Sequence, residues 1–230
     1  MAQHTVEPGR RYDQLRGRRA LLFDFDGTLI HQTIDFDEMR RLVEGVFRQH
    51  GVSPDPWKGM FVLEMIERAV ALLEGDDAER ARSIRDQAAQ AIVDLELRAA
   101  EGALAYAGVP EMLQSLRAAG LGVAIVTRNC RLAVESVMAR NALACDVLMT
   151  RDDVAYVKPD PRHLLVALKH LGASVAQAVM VGDHPSDVLV GQRAGTATVG
   201  VLTPGAGPER FAEVDPDLVV SDVTELIRYL

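Results

Sequence analysis

The hydrophobic positions of this 230-residue chain change their spacing along its length. A continuous apolar run, 21–23, is followed by acidic residues and a turn, as expected of a buried strand. From about residue 32 to 103, apolar residues recur every three or four positions, which predicts amphipathic helices. From about residue 109, helical patterns alternate with short apolar runs.

The middle segment begins with a helix predicted by five apolar residues on one helical face: Met39, Leu42, Val43, Val46 and Phe47. Asp55 and Pro56 are typical of an N-cap and first helical residue, and predict the start of a second helix. Asp76 with Glu79 resembles a capping box and predicts a third. Such helices cannot bury their apolar faces singly, so we expect an inserted helical bundle.

The alternating segment predicts an α/β fold with a doubly wound parallel sheet. Predicted helices cover 110–119, 130–140, 161–171, 185–194 and 222–229, and predicted strands cover 121–127, 145–149, 178–182, 196–201 and 217–220. The expected domains are a polar N-terminal arm at 1–18, an α/β core at 19–31 and 104–230, and a helical cap at 32–103.

Composition narrows the class of protein. The net charge of −8 disfavours nucleic acid or an anionic membrane as a partner. Two cysteines, Cys130 and Cys145, indicate neither a disulfide framework nor a cysteine metal site, and fit a reducing cytoplasm. Residues 1–19 contain five arginines without an apolar segment, which argues against a signal peptide. No apolar stretch approaches the roughly 20 residues of a membrane span.

Acidic side chains follow two of the predicted strands. Asp24 and Asp26 come after the first apolar run, and residues two apart in a strand share a side. Asp-Gly is also ordinary turn chemistry, which is the alternative for this pair. Asp183 follows strand 178–182, and Asp187 lies one helical turn further on.

Two further polar positions accompany these acids. Thr127 ends strand 121–127, and Lys158 precedes Pro159 where a helix is expected to begin. In open parallel sheets, ligands bind beyond the carboxyl ends of the strands. We therefore expect all of these residues at one edge of the sheet.

Taken in order, the segments 24–28, 127, 158 and 182–187 resemble the four motifs of the haloacid dehalogenase-like superfamily, which read DxDGT, a strand-end Ser/Thr, Lys and GDxxxD. The resemblance runs from about Arg19 to the C-terminus and is greatest to phosphoglycolate-phosphatase-like members with a helical cap. It implies a Rossmann-like core and phosphoryl-transfer chemistry.

If Asp24, Asp26, Asp183 and Asp187 converge with Lys158, four negative charges and one positive charge leave −3. Such a site would repel a phosphate unless a cation were bound. A set of carboxylates without histidine or cysteine selects a hard cation, and phosphate chemistry points to Mg²⁺. The resemblance implies the side chains of Asp24 and Asp183 and the backbone carbonyl of Asp26 as ligands, with Asp187 binding directly or through water.

The resemblance also implies catalytic roles. Asp24 would attack phosphorus and form an aspartyl-phosphate, and Asp26 would act as the acid and base. Thr127 and Lys158 would contact the phosphoryl group. Arg128 could add a second phosphate or carboxylate contact; equally, it could face solvent or pair with a surface acid.

The predicted function is a Mg²⁺-dependent hydrolase of a small phosphorylated metabolite resembling phosphoglycolate, with no obligate protein partner. Within the superfamily that the chain resembles, an acid at position 26 implies a phosphatase or a mutase. The first alternative is a mutase of the β-phosphoglucomutase type, which would need cap cations for a distal phosphate: Lys58 is the only lysine of the insertion, and Arg40, Arg41 and Arg48 are available. A non-catalytic binding protein is the second alternative, and the expected loss of a motif residue is absent.

Some roles stay open at this stage. His184 is either an acid/base group or a loop residue. His50, Trp57 and Lys58 are candidates for substrate specificity in the helical segment, although tryptophan is more often a core residue.

Overall fold

The computed structural model describes residues 15–230, so most of the predicted polar arm lies outside the described residues. The chain separates into two compact units. One contains the chain up to Gln32 and from Ala103 to Leu230, and the other is Thr33–Gly102. Leu15, at the end of the predicted arm, is fully buried, and the main-chain N–H of Arg19 donates to Gln177 O at 2.8 Å.

The first unit is built on a parallel sheet, with six strands within the described residues. They are β1 (Ala20–Phe23), β2 (Gly122–Val126), β3 (Val147–Met149), β4 (Ala178–Gly182), β5 (Ala197–Val201) and β6 (Leu218–Val220). Their order is β3-β2-β1-β4-β5-β6, so β1 lies between β2 and β4. The strand order reverses between β1 and β4, which is where ligands bind in doubly wound folds.

Helices cover this sheet. They are α4 (Val109–Ala118), α5 (Arg131–Arg140), α6 (Arg162–Leu171) and α7 (Pro185–Ala194). Ala20 and Leu22 of β1 share a core cluster with Leu164 of α6 and Val190 of α7. The intervening strand residues are buried as well, so both faces of the sheet are covered. The predicted α/β class with a doubly wound parallel sheet is confirmed.

The last predicted helix differs in form. Residues Val223–Tyr229 wind as a 3₁₀ helix rather than an α-helix. The Asp222 side chain accepts hydrogen bonds from both the main-chain N–H and the hydroxyl of Thr224, at 2.7 and 2.6 Å. Such local capping, over a segment of only seven residues, suits the tighter winding.

The second unit is helical and contains α1 (Phe36–Gln49), α2 (Val62–Leu73) and α3 (Ala78–Glu101). Their apolar faces form one shared core, which confirms the predicted inserted helical bundle. Side chains of Asp35 and Asp77 cap α1 and α3 by accepting hydrogen bonds from the main-chain N–H groups of residues 38 and 80. The cap of α3 is therefore one residue later than predicted.

The predicted start of the second helix is wrong. Asp55–Trp57 forms only a short 3₁₀ turn, and α2 begins at Val62. Gly59 has a φ of +88°, a left-handed conformation that cannot continue a helix. Trp57 is a core residue, since it is buried and packs edge-on against Phe47 with ring centroids 5.6 Å apart. Within the described residues, every helix is too short or too polar to cross a membrane.

Candidate active site

The end of β1 places Asp24 beside the only buried lysine of the described chain. Asp24 follows β1 directly, and its main-chain N–H donates to Val181 O at 2.8 Å, which extends the pairing with β4. Lys158 is 2% exposed. Its Nζ lies 2.7 Å from Asp24 Oδ1 and 2.8 Å from Asp187 Oδ1, so one ammonium joins two carboxylates.

The turn after β1 is held against the end of β4. Gly27 has a φ of +87°, and a Cβ there would lie 2.7 Å from Asp183 Oδ2, so a larger side chain would strike the carboxylate. The Thr28 hydroxyl donates to Asp183 Oδ1 at 3.1 Å and accepts the Asp183 main-chain N–H at 3.0 Å. These contacts fix the Asp183 carboxylate relative to the first motif.

Asp187 lies in the first turn of α7, where its carboxylate accepts the main-chain N–H of His184 at 3.2 Å. A Cβ on Gly182 would collide with the Asp187 side chain, so the glycine permits this close approach. His184 itself is the N-cap of α7, and its Nδ1 accepts the N–H of Ser186 at 3.1 Å. Burial lowers the pKa of His184, which favours the neutral ring that this capping bond requires.

Three carboxylates at the carboxyl edge of the sheet are close enough together to hold a metal ion. Asp24, Asp183 and Asp187 each offer an oxygen, and these atoms lie within 4.8 Å of one another. Burial, followed by the charge of Asp187, raises the pKa of Asp24 to about 6. Burial, followed by the charges of Asp24 and Asp187, raises the pKa of Asp183 to about 7. The three carboxylates repel one another when all are ionised, and their ligand atoms are all oxygens. Such a site favours a hard divalent cation.

Asp26 lies apart from this cluster of side chains, beside Asn129. The Asn129 Nδ2 is 3.1 Å from Asp26 Oδ2, and its Oδ1 accepts the Cys130 N–H at 2.8 Å. Asn129 was not singled out from the sequence, although its place two residues after the strand-end Thr127 was a usable signal. The buried Thr127 hydroxyl accepts the Asn129 main-chain N–H at 3.1 Å, so its own proton points elsewhere.

Arg128 has a partner that neither predicted alternative named. Its guanidinium donates a hydrogen bond to the main-chain carbonyl of Lys158. The main-chain N–H of Lys158 donates to Nδ1 of His163 at 3.1 Å. His163 was missed because a single histidine among apolar helical positions is usually a core residue. The lysine lies in the loop before α6, which begins at Arg162, and not at the helix start as expected.

Arg210 is another residue that the sequence did not indicate. It lies in a short 3₁₀ segment after β5, Pro208–Phe211, and its Nη2 is 3.4 Å from Asp183 Oδ2. Its position depends on how the chain returns after β5, and no local pattern predicts that. The site therefore has a second cation near its carboxylates.

The chain is similar in sequence and in fold to several known proteins. The chain is 30% identical over 224 residues to a phosphoglycolate phosphatase from Psychrobacter arcticus, a match that covers 93% of this chain and 96% of that protein. It is 35% identical over 124 residues to the pyrophosphatase PpaX of Bacillus velezensis, covering 53% and 57%. The crystal structure of a hydrolase from Pseudomonas syringae shares the fold, with a TM-score of 0.66, 24% identity and coverage of 92% and 97%.

The family model described as haloacid dehalogenase-like hydrolase matches residues 21–201. That range contains the two strand ends, the loop of Lys158 and the first turn of α7. The resemblance seen in the four motifs is therefore confirmed. The chain belongs to the haloacid dehalogenase-like hydrolases.

Proposed function

We propose that this hydrolase is a Mg²⁺-dependent phosphatase that cleaves the phosphate monoester of a small metabolite through an aspartyl-phosphate on Asp24. One observation supports the proposal most: Asp24 belongs both to the three-carboxylate cluster and to the ion pair with Lys158. A nucleophile, a positive charge for the phosphate and a possible metal site thus meet at one carboxylate.

Asp24 is suited to attack phosphorus. Its pKa of about 6 leaves the carboxylate mostly ionised at neutral pH, while the raised value reflects a group that is poorly solvated. A poorly solvated anion is the more reactive nucleophile. Lys158 donates a hydrogen bond to Oδ1 of Asp24. Its positive charge would also stabilise the negative phosphoryl group that Asp24 attacks.

Asp26 is proposed as the acid that protonates the leaving oxygen and then as the base that activates water. Asn129 donates to its carboxylate, which fixes the orientation of the group. Thr127 is proposed to donate its hydroxyl to a phosphoryl oxygen. Arg128 is also proposed to contact the phosphate. In addition, its hydrogen bond to the Lys158 carbonyl holds the main chain of that lysine.

The side chains of Asp24, Asp183 and Asp187 and the backbone carbonyl of Asp26 are the proposed Mg²⁺ ligands. The bound ion would supply positive charge that lowers the repulsion between the carboxylates and a phosphate. Thr28 and Arg210 both contact Asp183 and hold its carboxylate in place.

The substrate class rests on the relative matched over nearly its whole length, which is named a phosphoglycolate phosphatase, whereas the PpaX match covers about half of each chain. The mutase alternative needs cations in the helical unit. Arg40 donates to the Met60 carbonyl, and Arg48 pairs with Glu44 at 2.8 Å. Two of the arginines considered for a distal phosphate are thus engaged, which favours hydrolysis. A cytoplasmic location is proposed from the low cysteine content.

Replacing Asp26 tests the proposed acid. We expect Asp26→Asn to lower kcat/KM for an alkyl phosphate by about 10²-fold or more, the usual contribution of general acid–base catalysis. The loss with p-nitrophenyl phosphate should be at least tenfold smaller, because that leaving group departs without a proton. Steady-state phosphate release with both substrates measures the ratio, and the exposed Asp86→Asn is the matched control. Equal losses for the two substrates would exclude the role of leaving-group acid.

Metal removal should change stability as well as activity. Since the pKa values of Asp24 and Asp183 lie above the usual 3.8, EDTA-treated protein should lose stability as pH rises from about 4 through 7. Mg²⁺ at a hundredfold excess over its Kd should restore about 2.7 kcal/mol, most fully at neutral pH. Thermal unfolding with EDTA or Mg²⁺ measures this, with Asp183→Asn as the binding-deficient variant. A melting temperature independent of Mg²⁺ in the wild-type protein would contradict the metal site.

A further inference from the structure

His163 is buried next to Lys158 but contacts none of the acidic residues of the site. It lies near the start of α6, it is fully buried, and its Nδ1 accepts the main-chain N–H of Lys158 at 3.1 Å. The carbonyl of the same lysine accepts a hydrogen bond from Arg128. Both polar main-chain groups of Lys158 are therefore held by side chains.

The ring must be neutral to make this contact. An N–H can donate only to an unprotonated nitrogen, so the ring proton belongs on Nε2. Burial, followed by the charge of Lys158, lowers the pKa of His163 to about 3, so the ring stays neutral throughout the physiological range. The acceptor at Nδ1 is thus permanently available.

The ring of His163 also interacts with the main chain at the end of β3. The main-chain groups of Thr150 and Met149 act to raise its pKa, against the larger effect of burial, although its Nε2 makes no hydrogen bond of ordinary geometry among the described residues. A leucine would fill this site of α6 but would leave the Lys158 N–H without its acceptor.

The contact also ties two parts of the site together. Lys158 directs its ammonium to Asp24 and Asp187, and a displacement of its main chain would move that charge away from both carboxylates. Arg128 links the carbonyl of the same lysine to the segment after β2, where the Thr127 N–H donates to Met149 O at 3.0 Å. The lysine is therefore fixed relative to the proposed phosphate-binding segment.

We propose that His163 is a positioning residue, which fixes the main chain of Lys158 so that its ammonium meets Asp24 and the phosphoryl group. The inference rests on the proposed phosphatase activity. It predicts that removing the acceptor weakens catalysis through Lys158 alone.

The test compares His163→Leu, which removes the acceptor, with His163→Asn, whose Oδ1 can take the place of Nδ1. With p-nitrophenyl phosphate and Mg²⁺, His163→Leu should lower kcat about tenfold with a smaller change in KM, because small displacements of a catalytic group reduce the rate of the chemical step. His163→Asn should recover kcat to within about threefold of the wild type. The exposed His170→Leu, on the same helix, should leave kcat unchanged.

A double-mutant cycle separates positioning from general damage. In a Lys158→Met background, His163→Leu should cause no further loss, since the group through which it acts is gone. The same tenfold loss in that background, or full activity of His163→Leu alone, would overturn the inference. If His163→Leu does not fold, His163→Gln, which moves the acceptor by one bond, replaces it with the same expectation.

One measurement is independent of turnover. The ¹⁵N spectrum of the wild-type imidazole should show a neutral ring with the proton on Nε2, and a proton on Nδ1 would overturn the proposed contact. If wild-type protein releases no phosphate from any monoester, the proposed function fails. If wild-type protein releases phosphate and Lys158→Met is about 10²-fold slower, but His163→Leu is normal, only the positioning inference fails.

Discussion

Asp24→Asn should abolish phosphate release and leave the fold intact. The amide is a poor nucleophile and a poor metal ligand, so turnover should fall by more than about 10³-fold. Stability should change little, because the substitution removes a buried negative charge that is repelled by Asp187, while Lys158 keeps its bond to Asp187. Steady-state kinetics and thermal unfolding of the same preparation measure both effects.

The control for this change is Asp86→Asn, an exposed aspartate of the helical unit, which should retain wild-type activity. Activity of Asp24→Asn within tenfold of the wild type would exclude Asp24 as the nucleophile. A collapse of its thermal stability would show instead that Asp24 is needed mainly for folding.

Lys158→Met should have the second large effect, on activity and stability together. The substitution leaves the carboxylates of Asp24 and Asp187 without their shared cation in a buried environment. Removing one partner of a buried ion pair typically costs about 3 kcal/mol or more, and loss of a charge on the phosphoryl group should lower kcat by about 10²-fold. Denaturant unfolding and phosphate release measure the two effects.

The loss of stability should depend on pH with a defined sign. Acids whose pKa is raised on folding destabilise the folded protein as pH rises, so Lys158→Met should be least stable relative to the wild type near pH 8 and approach it near pH 5, with EDTA present. Lys169→Met, at an exposed position of α6, is the matched control. A loss of stability that is the same at both pH values would contradict the buried charge pairs.

Much of the fold was predictable because its signals are local. Strands such as β2 and β4 are short apolar runs, and a helix such as α1 has an apolar face and a capping aspartate. The start of α2 was not predicted correctly. Asp55 and Pro56 carry a helix-start pattern, but Gly59 three residues later ends the turn, and a single sequence does not show which signal prevails.

The residues of the candidate site also fall into two groups, those with a local sequence signal and those without one. Asp24, Asp183 and Asp187 were predicted because their motifs follow β1 and β4, neighbouring parallel strands whose carboxyl ends meet at one edge of the sheet. Asn129, His163 and Arg210 were missed because their importance lies in contacts that depend on tertiary structure. The Arg128 bond to the Lys158 carbonyl joins residues 30 positions apart, and sequence spacing alone does not predict it.

The most direct test of the central claim is phosphate release from a panel of small phosphate monoesters, including phosphoglycolate, by wild-type protein and by Asp24→Asn, each with Mg²⁺ and with EDTA. We predict release by the wild type only with Mg²⁺, strongest for a small acidic monoester, and none by Asp24→Asn. Release that persists in EDTA or in Asp24→Asn, or no release from any monoester, would contradict a Mg²⁺-dependent phosphatase that uses Asp24 as its nucleophile.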